Sequence, residues 1–122
     1  MWRLAFLDLD HDGDWSWGID ESALRKIIAF LREMERLTWT EVRAQLTGGN
    51  RRRGPKHKSI PAAHLCGLAQ QRLLKLQLDE FDDLFRFRLG NMQRLWGVVH
   101  EDVFYPVWWD PDHKVCPGRD PD

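Results

Sequence analysis

Apolar residues recur along this chain with two different periods, and the change of period divides it. From Trp2 to Leu9 both faces of an extended chain are largely apolar, with Leu4 and Phe6 opposite Ala5, Leu7 and Leu9. That pattern predicts a buried first strand. The Asp- and Gly-rich stretch His11–Gly18 then turns the chain. Leu24, Ile27, Ile28, Leu31 and Met34 follow at helical spacing. Asp20 ahead of them is a good N-cap, and Glu21 suits the positive end of a helix dipole, so a helix is predicted over 21–36. Thr38-Trp-Thr-Glu41 reads as a capping box that restarts a short helix through Leu46, ended by Gly48-Gly49. Residues 47–60 read as a flexible loop. Pro61 suits a first helical position, and Leu65, Leu68, Ala69, Arg72, Leu73 and Leu76 continue a second helix to about Leu78.

Beyond Asp79–Asp83 the period drops to two. Leu84–Leu89 alternates Phe and Leu with Arg, which puts Arg86 and Arg88 on one face of a strand. Gly90-Asn91 and Glu101-Asp102 are turn signals, so Gln93–His100 and Val103–Trp109 complete a meander. Pro106 removes a ladder donor from the last run and calls for an edge, a bulge or a donor pointing away from its neighbour. The predicted order is β-α-α-β-β-β. It implies an α+β fold, an antiparallel sheet with two helices packed on one face. Residues 1–117 form one domain, and 118–122 an irregular tail.

A chain of 122 residues can bury a core without disulfide staples. Its formal net charge of −1 gives no global basic field that would mark a nucleic-acid binder. The charge is uneven, however. Arg51, Arg52, Arg53, Lys56 and Lys58 form a basic run, and Asp8, Asp10, Asp12 and Asp14 an acidic one. Cys66 and Cys116 lack metal spacing and read as reduced thiols of a cytoplasmic protein. There is no signal-like start and no apolar run of membrane-spanning length, so no membrane is expected. The seven tryptophans read mainly as core and edge packing.

Asp8-Leu-Asp-His-Asp-Gly-Asp has the alternating carboxylates and the glycine of a calcium loop. The twelfth position is Ile19 where a bidentate Glu is needed, so the stretch reads as a turn into an N-cap and no metal is expected. His64 and His100 have no partner at ligand spacing, and Ser59 and Cys66 sit in no nucleophile motif. No cofactor is implied. The basic run offers sequence-blind phosphate contacts, or simply a solvated loop. Arg88 and Arg94 flank a turn, and His113-Lys114 follow the last strand. If neighbouring strands bring them to one end of the sheet, they match the needs of RNA cleavage by its own 2′-hydroxyl. Histidine supplies acid or base, and arginine forks hold the phosphate. Trp108 or Trp109 would stack on a base. The structural alternative is that the arginines face solvent and His113 serves a turn.

With Phe87-Arg-Leu-Gly-Asn-Met-Gln-Arg-Leu-Trp-Gly and Trp109-Asp-Pro-Asp-His-Lys, the element order resembles the RelE/ParE-like superfamily of bacterial toxins. The resemblance implies a RelE-like fold and, in the ribonuclease branch, metal-independent cleavage of messenger RNA. It would make Arg88 and Arg94 phosphate holders, His113 acid or base and Lys114 supporting charge, with a small antitoxin as partner. The tail from Trp108 to Pro117, with the early Asp-Gly-x-Trp-x-Trp-Gly pattern, is also similar to a group of small bacterial proteins; that likeness implies no activity. The reading that competes with an RNA-directed toxin is a non-catalytic module, phage- or defence-related, that binds protein through its Trp-rich sheet.

Overall fold

The computed structural model describes residues 1–46 and 54–117. The chain is an α+β protein. Its order is α1 (Glu21–Met34), α2 (Trp39–Ala44), β1 (Lys58–Pro61), a single 3-10 turn (Ala62–His64), α3 (Gly67–Lys75), β2 (Asp83–Arg88), β3 (Arg94–His100) and β4 (Val103–Asp110). The sheet is antiparallel throughout, with strands in the order β1-β2-β3-β4. No helix among the described residues is long and apolar enough to cross a membrane.

The helix starts follow from their caps. Asp20 accepts a 2.8 Å hydrogen bond from the Ala23 N–H and opens α1. Thr38 and Glu41 exchange reciprocal bonds of 3.1 and 3.0 Å, a complete capping box at α2. Both use local donors left unsatisfied at a helix start, which is why they are legible in sequence.

Helices cover both faces of the sheet, not one. Ile27 and Met34 of α1 and Val42 of α2 pack with Phe85, Phe87, Leu95, Phe104 and Trp109. Ala69 and Leu73 of α3 pack on the other face with Ile60, Leu84, Trp96, Val98, Val107 and Trp108. The reason lies in the strands, which are apolar on both sides and need two covers.

The expected first strand, Trp2–Leu9, does not form. Trp2 makes one isolated parallel bridge to Phe104, and the Arg3 N–H donates to the Phe104 carbonyl at 3.0 Å. Pro106 accounts for the interruption. Like Phe104 it directs its backbone to the outer edge of β4, and it has no N–H to continue the ladder there. A bulge follows at once. Trp96 pairs with Trp108 and Gly97 with Pro106, so Val107 has no opposite residue. Val107 and Trp108, adjacent in sequence, therefore enter the same core cluster. Both an edge position and a bulge accommodate Pro106.

The second predicted helix is also displaced. Residues 58–61, expected as loop and helix start, form β1, with Pro61 opposite Asp83. The helix begins only at Gly67, after the Cys66 N–H has donated to the Val115 carbonyl at 2.7 Å. Residues 47–53 of the expected loop and the tail 118–122 lie outside the described residues.

Candidate functional site

The meander places four of the expected site residues at one end of the sheet. Arg88 pairs with Arg94 across β2 and β3, and Arg94 with Asp110 across β3 and β4. His113 and Lys114 follow directly on from Asp110. The arginines are engaged with their own hairpin. Nη1 of Arg94 donates to the carbonyls of Gly90, Asn91 and Gln93 at 3.1–3.2 Å, and Nε of Arg88 donates to Gly90 at 3.4 Å. Arg94 is buried, whereas Arg88 is half-buried. This guanidinium cap donates to the turn carbonyls, of which that of Gln93 also accepts the Leu89 N–H at 3.0 Å.

Asp110 organises the next turn. Its Oδ1 accepts the Lys114 N–H at 2.8 Å, and its Oδ2 accepts the Val115 N–H at 3.0 Å and the Trp96 indole N–H at 3.2 Å. His113 sits in this turn with φ of 57°, in the left-handed region, and is half-buried. Lys114 turns outward, where its ammonium donates to Asp14 at 2.9 Å. That hydrogen bond, with the charge of Asp14 behind it, raises the Lys114 pKa.

Trp109, expected as a stacking platform, is 2 % exposed and belongs to the core beside Phe85 and Phe104. Trp96 and Trp108 are buried as well, so the sheet presents no open indole face. Arg86 is not a solvent-face residue. It is wholly buried and donates to the Lys56 carbonyl at 3.0 Å.

The residue that sequence reasoning missed is His57. Its Nδ1 accepts the Arg88 N–H at 3.0 Å, so its Nε2 carries the proton and donates to Gln45 Oε1 at 2.9 Å. Burial, reinforced by the charges of Lys56, Arg86 and Arg88, lowers its pKa to about 3. The ring is neutral and ties the end of α2 to the end of β2. Lys56, from the basic run, extends this tie with a 2.8 Å bond from its N–H to the Gln45 carbonyl. Lys58 pairs with Arg86 in the sheet. Arg51, Arg52 and Arg53 lie outside the described residues. Nothing in the spacing of His57 could have singled it out, because its partners are 12 and 31 residues away.

The first carboxylate of the acidic stretch is engaged within the fold. Asp8 is fully buried and binds Arg72 and the Trp108 indole. Burial pushes its carboxyl up, but hydrogen bonds from Arg72 and Trp108 and the Arg72 charge outweigh this and leave its pKa below the usual value. Among the described residues no group of three or more His, Cys, Asp or Glu is placed to hold a metal. Comparison with protein-family models, with curated proteins and with solved structures returned no match.

Proposed function

We propose that the protein binds RNA, holding phosphates at the end of the sheet where β2 turns into β3. One observation carries this reading: the half-buried cations Lys56 and Arg88 flank His57, the first as its chain neighbour and the second through the 3.0 Å bond from its N–H to Nδ1, and their charges oppose protonation of the ring. Such a concentration of positive charge, on a chain of net charge −1, favours a polyanion at one place without making the whole surface adhesive. Lys26 of α1 adds to it, with its Nζ 3.8 Å from where a Cβ on Gly90 would lie. Arg88 remains partly accessible while its backbone stays fixed by His57.

The test is binding of a single-stranded RNA oligonucleotide, followed by fluorescence anisotropy across a salt series. Each phosphate contact contributes about −0.7 to the slope of log K against log salt. Wild type should bind with a clear slope, and Lys26→Ala with Arg88→Met should make it shallower by about 1.4. Binding without salt dependence, or an unchanged slope in the variant, overturns the reading.

The register of the meander favours a second reading, toxin-like RNA cleavage. Arg88, Arg94 and Asp110 are successive cross-strand partners, and His113 and Lys114 adjoin them. In that reading the RNA 2′-oxygen attacks the adjacent phosphorus as the bond to the 5′-oxygen breaks, leaving a 2′,3′-cyclic phosphate. His113 takes the 2′ proton or delivers one to the departing 5′-oxygen, with water exchanging the other, while Arg88 and Arg94 neutralise the phosphate and Lys114 adds charge. An antitoxin protein would then cover the site.

A further inference from the structure

At the opposite end of β3 lies a hollow of about 150 Å³ that the RNA reading does not use. Trp2 and Trp39 form two of its walls, with ring planes at 81° and centroids 6.4 Å apart. Met34 contributes to the lining, and Glu35 and Asp102 bring carboxylates to it. Both carboxylates are exposed, and among the described residues neither is in an ion pair. Asp102 is held at the hollow by the β3–β4 turn, where it takes φ of 63°, and its carbonyl accepts the Trp39 indole N–H at 2.8 Å.

We infer that this hollow binds a small organic cation, of the quaternary-ammonium or methylated-ammonium class. Three features point the same way. Trp2 and Trp39, set edge to face, line the hollow with aromatic surface that a cation can approach. Glu35 and Asp102 add formal negative charge at the rim. Glu35 is also the C-cap of α1, so the negative end of the helix dipole faces the same space. The structure already makes one contact of this kind, with the Arg43 guanidinium carbon 5.8 Å from the Trp39 ring centroid. A strongly hydrated metal ion would gain little from indole walls. A methylated ammonium is cheap to desolvate and gains from both the rings and the charge. The volume suits a headgroup rather than a whole drug-sized ligand.

The probe is choline, titrated into the full chain, with 3,3-dimethylbutan-1-ol as its neutral isostere. The readout is the set of indole N–H resonances, of which Trp2 and Trp39 should shift saturably with choline. The isostere should bind at least about tenfold more weakly, because it keeps the shape and loses the charge. Glu35→Gln with Asp102→Asn should weaken choline by about tenfold and leave the other indole resonances in place. Asn tolerates the left-handed backbone of position 102, so the turn survives. Equal binding of choline and its isostere would show a merely apolar hollow and overturn the inference. So would shifts confined to other tryptophans, or no saturation at all.

Discussion

Arg72 on α3 clasps Asp8, 64 residues earlier in the chain, through bonds of 2.9 Å from Nε and 2.6 Å from Nη2. The Asp8 side chain is fully buried and that of Arg72 is 15 % exposed. The pair fastens the N-terminal segment, which has no strand ladder to hold it, across the face where α3 lies. Trp108 donates a third bond to the same carboxylate at 2.9 Å.

Breaking this pair should cost far more than its surface counterparts. Arg72→Met leaves a buried carboxylate without its cation and should destabilise by about 3–5 kcal/mol. Asp8→Asn in the same background should recover part of that loss. Urea denaturation at neutral pH measures both. The folded pKa of Asp8 lies below its unfolded value, so its contribution is present above about pH 4 and is lost as pH falls through the folded pKa. Asp8→Asn should therefore flatten the acid limb of the stability curve.

His57 acts in a different pH window. Its pKa is lowered from 6.5 to about 3 in the fold, so between those values the unfolded chain binds the extra proton. Stability should be full above pH 6.5 and fall as pH drops towards 3, by at most about 1.4 kcal/mol per pH unit. His57→Gln should remove that slope. Nitrogen-15 spectra should show the ring neutral at pH 5 with the proton on Nε2; a charged ring there contradicts the assignment.

Gly97 should tolerate no side chain. A Cβ there would meet the Tyr105 carbonyl oxygen, and it would lie 2.6 and 2.7 Å from atoms of the Phe104 ring. The bulge brings this backbone close, and a carbonyl in the neighbouring strand cannot swing aside. Gly97→Ala should cost several kcal/mol, on the order of an overpacked core site, and lower Tm accordingly. Gly67→Ala, where nothing lies within 4 Å, is the control and should be tolerated.

The cleavage reading predicts growth arrest and fragmented RNA on inducible expression of wild type, and neither with His113→Ala. Lys114→Ala should weaken the effect without abolishing it. Arrest that survives His113→Ala with intact RNA removes His113 from any chemistry and leaves RNA binding as the reading to pursue.

The features written in short-range code were legible before the fold was known. Asp20, Thr38 and Glu41 act on donors within three residues, so α1 and α2 begin where their caps place them. The three meander strands announce themselves by alternation and by the turns between them. Pro106 could be recognised as an edge or a bulge from its missing donor alone. For the candidate site, the sequence supplied the arginines and the His-Lys pair, and sheet pairing brought their backbones to one end. It did not disclose that Arg94 would cap its own turn.

What the sequence determined by itself is thus the α+β class, two capped helices and an antiparallel meander, because these rest on neighbours along the chain. Tertiary structure decided the rest. The strand β1 exists only because β2 offers it an edge, since Lys58–Pro61 is too short and too polar to declare itself. The apolar run Trp2–Leu9 fails as a strand because Pro106, about a hundred residues later, leaves no donor for it. Asp8, Arg86 and His57 look like surface residues in sequence. They are buried because Arg72, Lys56, Arg88 and Gln45 reach them across the fold, and a polar group can enter a core only when such partners arrive with it.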